Sequence, residues 1–205
     1  VTWPILDPHG GRQDLEHRLL RVVGPKVFAE DPVRLLRVLR LATQLRFRIT
    51  PDTLALARRD AHYVSTIHGE RARDELLAIL AQPEIEPSLR LMDELGLLCK
   101  MIPELEVGKG VSQPKTHHYW DVFEHGIQCA IACNRILNPQ ARAKDTELNL
   151  IPWEAWLDDY FLEEATDGHN RATLLKLVGL LHDIGKPATK NVEPSGRVRF
   201  LGHPT

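Results

Sequence analysis

The sequence predicts a mainly α-helical protein, a helical array followed by a second helical unit, with a short strand or turn at the N-terminus. Three observations predict it. Apolar residues recur at three- and four-residue intervals along most of the chain. Aromatic residues make up only 6%, which suits helices better than a β-sandwich. A capping residue followed by proline, the signature of a helix start, occurs at Asp31-Pro32 and again at Thr50-Pro51. With 205 residues the chain is long enough for one large domain or two small ones. Its 43% hydrophobic and 26% charged residues exclude a wholly disordered, collagen-like or disulfide-stapled chain.

The elements follow in order. The opening TWPILDPHGG runs apolar into an Asp-Pro and Gly-Gly break, as the end of a strand entering a turn does. From Asp31 as N-cap, with Pro32 at the first helical position, Leu35, Val38, Leu39, Ala42 and Leu45 trace one helical face. A second helix starts at Thr50-Pro51. Further helices are predicted over Glu70–Ala81 and over Pro87–Leu95, the latter closed by Gly96. Residues 107–116, VGKGVSQPKT, are the best linker candidate. A helix over about Asp121–Ile136 follows. The acidic stretch 145–170 reads as a solvated insertion with a helix near Trp153–Leu162, and ATLLKLVGLLHDIGK then reads as a buried helix running into a polar end. The predicted units are therefore residues 1–28, 29–106 and 117–205, the last two joined by the linker.

The net charge of −2 conceals an asymmetry. Residues 1–73 carry 13 Lys/Arg, twelve of them arginine, against 8 Asp/Glu; the remaining residues carry 13 against 20. Arginine's planar fork suits phosphates and base edges, so the front predicts a nucleotide or RNA face, with a solvated helix surface as the alternative. Cys99, Cys129 and Cys133 lack metal-type spacing and read as buried free thiols. No apolar run is long enough to span a membrane and no signal peptide is evident, which predicts a soluble, cytoplasmic protein without a membrane partner. The first residue is Val1, and the end, FLGHPT, has no tail-like composition, so the chain reads as a piece of a longer polypeptide.

The sharpest chemical signal is His182-Asp183 at the end of the apolar helix. Adjacent imidazole and carboxylate groups can offer one nitrogen and one oxygen to a divalent ion. For an isolated pair a structural hydrogen bond is the alternative. His125 lies in WDVFEHG and His203 in FLGH. The stretch LLHDIGKP, preceded by HHYWDVFEH and followed by FLGH, resembles the HD superfamily of metal-dependent phosphohydrolases in motif order. That resemblance implies His125, His182 and Asp183 as metal ligands, with His182 and Asp183 catalytic. It implies His203 at a second metal position or on the scissile phosphate, and a transition metal such as Mn²⁺, Ni²⁺ or Fe²⁺. Lys186 either neutralises phosphate charge or caps a helix C-terminus. The family's further aspartate on a later helix falls beyond Thr205, so the ligand set of this chain is expected to be incomplete. His117, His118 and Trp120 are candidates for the pocket mouth, against solvent exposure for the histidines and core packing for the tryptophan.

The second constellation is DPHGGRQDL, FAEDPVRLLRVLRLATQLRFRIT and HGERARDELLAIL. Asp31 and Arg34 are three residues apart on one helical face, where an acceptor beside a guanidinium fork can hydrogen-bond a nucleobase edge. Taken singly, an N-cap and an intrahelical salt bridge are the alternatives. Arg37 continues the same side, and Arg71 and Arg73 add cations. In sequence these segments resemble the class II tRNA nucleotidyltransferase and poly(A) polymerase family, from the close of its catalytic head through its neck and body helices. The resemblance implies that the EDxxR motif, here Glu30 to Arg34, contacts the base of CTP or ATP. Asp31 and Arg34 are its template residues, with Arg37 and Arg71 lining the nucleotide site and the motif Glu70 to Leu76 bracing the helix.

That family adds nucleotides to the 3′ end of RNA, tRNA above all, with Mg²⁺ held by a head that lies upstream of these residues. The chain is therefore expected to be a neck, body and partial HD fragment that lacks polymerising activity by itself. Two other readings remain open. One is an HD metal-dependent phosphohydrolase with an N-terminal nucleotide-sensing module, and the other a non-catalytic RNA-binding helical domain.

Overall fold

The computed structural model describes residues 5–113, 119–195 and 198–202. Its elements in chain order begin with α1 (Gly11–Glu16), β1 (Leu19–Leu20), α2 (Val27–Glu30), α3 (Arg34–Leu45), β2 (Arg48–Ile49) and α4 (Pro51–Asp60). A 3₁₀ segment, Ala61–Thr66, leads to α5 (Gly69–Leu80), α6 (Glu86–Glu94) and α7 (Leu97–Met101), and a second one, Pro103–Gly108, closes the first half. Then come α8 (Val122–Ile136), α9 (Pro139–Lys144), a 3₁₀ turn at Leu148–Leu150, α10 (Trp156–Leu162), β3 (Glu164–Thr166), β4 (His169–Asn170), α11 (Arg171–Leu181), α12 (Lys186–Thr189), β5 (Lys190–Val192) and β6 (Val198–Phe200). The fold is mainly helical, as predicted. The three sheets are two-stranded: β1 and β2 pair in parallel, β3 with β4 and β5 with β6 antiparallel.

Most helix starts follow the predicted chemistry. Thr50 caps α4, Asp121 caps α8 by accepting from the Glu124 amide at 2.8 Å, and Gly96 turns the chain between α6 and α7 at φ 66°. The helix expected from Asp31 begins at Arg34 instead. Asp31 is extended (φ −147°), and Pro32-Val33 form a turn in which the Arg34 amide bonds the Asp31 carbonyl at 3.1 Å. No strand forms over residues 5–7, residues 1–4 lie outside the described residues, and the turn at Pro8-His9 is present. The parallel pairing of Leu19-Leu20 with Arg48-Ile49 has no counterpart in the periodicity, because two residues give no alternating pattern to read.

One continuous core joins the halves. Phe28, Leu35, Leu36, Leu39, Ile79 and Leu80 belong to the same buried cluster as Phe123, Ile127, Ala130 and Leu180. Polar side chains reinforce the joint. Arg90 on α6 forms a double hydrogen bond with Glu124 on α8, 2.8 Å each, and holds that carboxyl below its ordinary range. The buried Lys176 ammonium on α11 donates to the carbonyls of Leu80 (2.8 Å) and Gln82 (3.2 Å) at the end of α5, where helical carbonyls lack partners.

Helices α8 and α11 cross in close backbone contact. A Cβ built on Gly126 would meet the Leu180 carbonyl oxygen at 2.5 Å, and one on Gly179 would meet the Ala130 nitrogen and the Cys129 carbonyl at 3.1 Å. Both glycines are required here by contact, since both lie in ordinary helical backbone.

Two predictions follow from the packing. Gly126→Ala gains about 1 kcal/mol of helix propensity but forces the helices apart, at a cost of about 1–3 kcal/mol, so urea unfolding midpoints should fall. Gly69→Ala, with nothing within 4 Å, should leave the midpoint unchanged or raise it slightly; a raised midpoint for Gly126→Ala would contradict the crossing. Burial pushes the Lys176 ammonium down from its ordinary 10.5 to about 8. Below pH 8 both folded and unfolded chains carry that proton, and above about 10.5 neither does. Between these values the unfolded chain holds a proton that the folded one has lost, so unfolding free energy should rise with pH relative to Lys176→Met. A flat difference across that window would refute the assignment.

Candidate functional site

The predicted residues fall into two groups. The first surrounds the start of α3. Its N-terminus faces α5, so Arg71, on the first turn of α5, reaches Asp31 across a gap of 40 residues in sequence, with Nη2 at 3.0 and 3.1 Å from the two carboxylate oxygens. Arg71 is the main reason that the Asp31 carboxyl sits below its ordinary range; burial opposes the shift. Arg34 lies further off, with Nε at 3.9 Å from Asp31, Nη1 at 3.7 Å from the exposed Glu30, and a hydrogen bond from Nη1 to the Val27 carbonyl at 3.2 Å. Asp31 therefore neither caps α3 nor pairs chiefly with Arg34. Its strongest partner is Arg71, and the Arg34 fork stands 41% exposed beside it.

Arg37 belongs to a neighbouring network. It and Arg40 each donate through Nε to one oxygen of Glu75, at 2.9 and 2.7 Å. Glu75 is buried on α5, and two guanidinium groups share its charge. Glu75 was not singled out by the sequence, although its place in the ERxxxEL-like segment was the available signal. Two shallow cavities meet at Arg37. One, of about 330 Å³, is lined by Leu20, Val22, Phe28, Arg34, Arg37 and Val38; the other, of about 260 Å³, by Arg37, Arg40, Arg71 and Glu75. Arginine donors surround a carboxylate acceptor beside apolar walls, an arrangement suited to a planar, polar-edged group.

The second group sits where α8 crosses α11. His182 and Asp183 follow the last turn of α11, and His125 lies on the facing side of α8. His125 Nε2 is 3.4 Å and His182 Nε2 is 3.2 Å from the same Asp183 oxygen, Oδ2, and Lys186 Nζ is 2.7 Å from it. Asp183 is buried, with 5% of its side chain exposed. The ring centroids of His125 and His182 are 5.2 Å apart. His182 Nδ1 lies 3.0 Å from the Gly179 carbonyl. A carbonyl only accepts, so Nδ1 is the donor of that hydrogen bond. Lys186 Nζ also donates to Gln113 Oε1 at 2.8 Å.

Cys129, one turn beyond His125, places Sγ 3.5 Å from His125 Nε2. One ligand atom from each of His125, Cys129 and His182 lies within 4.8 Å of the others. The sequence missed Cys129 because Cys129 and Cys133 read as core thiols; the missed signal was the four-residue spacing from His125, which puts both on one helical face. Burial pushes both thiols up. His203, His117 and His118 lie outside the described residues. Trp120 is 43% exposed, so it is not a core residue. No helix among the described residues is long and apolar enough to cross a membrane.

Comparison with known proteins gives three findings. Residues 46–108 match the family model described as the probable RNA and SrmB-binding site of polymerase A. The chain is 35% identical over 205 residues to the A-adding tRNA nucleotidyltransferase of Deinococcus radiodurans, across 97% of this chain and 40% of that protein. It is 44% identical over 163 residues to the multifunctional CCA protein of Methylococcus capsulatus, across 74% and 38%. It thus spans about two-fifths of the length of these relatives. Its fold resembles a tRNA nucleotidyltransferase crystallised with a primer tRNA and an incoming ATP analogue, with a TM-score of 0.57 at 22% identity, covering 86% of this chain and 42% of that one. It also resembles the Thermotoga maritima CCA-adding enzyme complexed with tRNA, with a TM-score of 0.52 at 17% identity, covering 86% and 50%. The chain is thus similar, over part of their length, to tRNA nucleotidyltransferases, and its residues 46–108 match a polymerase-A RNA-binding model.

Proposed function

We propose that the chain is the nucleotide-selecting and RNA-binding part of an enzyme that adds nucleotides to the 3′ end of tRNA or another RNA. The observation that carries this reading is the Asp31, Arg34 and Arg71 constellation directly before the segment that matches a polymerase-A RNA-binding model. The chemistry of selection rests on the donor and acceptor patterns of the bases. Cytosine and adenine both carry an exocyclic amine beside an acceptor ring nitrogen, and guanine and uracil carry a carbonyl at the corresponding position. A fixed carboxylate accepts from the amine and repels the carbonyl. Asp31, held ionised by Arg71, supplies that acceptor, and the exposed Arg34 fork donates to the ring nitrogen or carbonyl beside it. Arg37 is positioned by Glu75 at the junction of the two cavities, with a donor face toward the nucleotide. CTP and ATP are the nucleotides, the tRNA 3′ end is the acceptor, and the Mg²⁺-dependent transfer itself belongs to a catalytic head outside these residues.

The His-Asp cluster supports a second, attached activity, a divalent metal centre of the phosphohydrolase type. The residues fit an ion. Each imidazole Nε2 lies 3.2–3.4 Å from one buried carboxylate oxygen, and the Gly179 carbonyl holds His182 through Nδ1, which leaves Nε2 to coordinate. His125, His182 and Asp183 would hold the ion. Bound there, Mn²⁺, Ni²⁺ or Fe²⁺ supplies Lewis acidity toward a phosphate oxygen. Lys186 Nζ, itself held by Gln113 Oε1, lies against the Asp183 carboxylate and positions it.

The test uses the longer protein of which this chain is proposed to be part. Arg34→Ala removes a charged hydrogen bond worth about 1.5–3 kcal/mol, so CTP and ATP dissociation constants should rise by about 10- to 100-fold. Asp31→Ala should narrow the discrimination of CTP and ATP against UTP and GTP. Discrimination that survives both substitutions would overturn the template role.

A further inference from the structure

We infer that Cys129 joins His125 and His182 as the thiolate ligand of a site, beside Asp183, for a borderline or soft divalent transition metal such as Zn²⁺, Co²⁺ or Fe²⁺. The inference rests on reading that cluster as a metal centre. Its ground is the spacing of the donor atoms. In a tetrahedral site with metal-to-nitrogen and metal-to-oxygen distances near 2.1 Å and metal-to-sulfur near 2.3 Å, two nitrogen or oxygen ligands stand about 3.4 Å apart, and a sulfur stands about 3.6 Å from a nitrogen. The structure has His125 Nε2 to Asp183 Oδ2 at 3.4 Å, His182 Nε2 to Asp183 Oδ2 at 3.2 Å, and Cys129 Sγ to His125 Nε2 at 3.5 Å. Three donor-to-donor spacings thus match those of such a site, and the donor atoms of His125, Cys129 and His182 all lie within 4.8 Å of one another, with Asp183 beside them.

The backbone explains why the set is so close. Cys129 lies one turn from His125 on α8, and the Cys129 carbonyl is one of the atoms against which Gly179 packs. The thiol thus sits at the helix crossing, over the last turn of α11, from which His182 and Asp183 project. Coordination forms a metal–sulfur bond and breaks the S–H bond, with the proton released to water and no change of oxidation state. A thiolate is a poor ligand for Mg²⁺, so the site discriminates against the ion the nucleotide-transfer reaction uses. Lys186 Nζ lies 2.7 Å from Asp183 Oδ2 and also donates to Gln113 Oε1 at 2.8 Å.

The experiment is a titration of the full 205-residue chain with Co²⁺, followed by absorption spectroscopy. A thiolate-to-cobalt charge-transfer band in the near ultraviolet, together with visible bands of tetrahedral intensity, is expected. Cys129→Ser should abolish the ultraviolet band and weaken Co²⁺ binding by more than about tenfold, the least that loss of even an outer-sphere partner typically costs. Cys133→Ser should change neither. Visible bands without the charge-transfer band in the unaltered chain would overturn the cysteine ligand and leave the histidine–aspartate centre standing. No Co²⁺ spectrum at all, in a chain whose circular dichroism shows it folded, would overturn the centre and the cysteine with it.

Discussion

The crossing of α8 over α11 is the constraint on which the second half of the structure depends. Helices ordinarily pack with axes 8–10 Å apart, at a distance set by the side chains between them. Gly126 and Gly179 remove those side chains, and backbone touches backbone. The consequences spread outward from the contact. Leu180 is pressed into the core beside Ile127 and Ala130. Lys176, one turn earlier on α11, reaches the carbonyls that end α5 and so anchors the crossing to the first half. His125 and His182 arrive on opposite walls of one small space, with Asp183 at its back.

In the first half a different force organises the site. Six arginines lie on or near α3 and the start of α5, at positions 34, 37, 40, 46, 71 and 73, a concentration of like charge that would repel itself. Carboxylates, from the buried Glu75 to the exposed Asp74, disperse it. Glu75 takes Arg37 and Arg40, Asp31 takes Arg71, and Asp74 takes Arg73. These pairs contribute little to stability where both partners are solvated. Their role is geometric: each fixes one guanidinium plane and leaves the Arg34 fork exposed beside an ionised acceptor. That arrangement is preorganised for a polar, planar partner and needs no rearrangement of the helices that carry it.

Helix content and order were legible because periodic burial over a dozen residues is a strong signal, and residues such as Thr50, Gly96 and Asp121 mark ends by local chemistry alone. The start of α3 was misread for the same local reason. Asp31-Pro32 has the form of a cap, and only a side chain 40 residues away, Arg71, draws the carboxylate elsewhere. The His-Asp pair was legible as a motif, and its partner His125 through a resemblance. Cys129 was not, since an apolar helix containing a thiol has the same pattern whether the thiol faces a core or an imidazole. Glycines 126 and 179 were likewise silent, because close approach is a property of two segments and neither shows it alone.

If the glycine contact sets the donor-atom spacing at the proposed metal centre, the Zn²⁺ affinity of Gly179→Ala tests it most directly, measured by calorimetry at a temperature where its helix content equals that of the unaltered chain. The methyl group meets the Cys129 carbonyl and the Ala130 nitrogen at 3.1 Å and must push α8 away from His182 and Asp183. Affinity should fall by at least about tenfold, comparable with the loss of a supporting ligand contact. Unchanged affinity in the folded variant would show that the donor atoms find one another without the crossing, and would contradict the account at its centre.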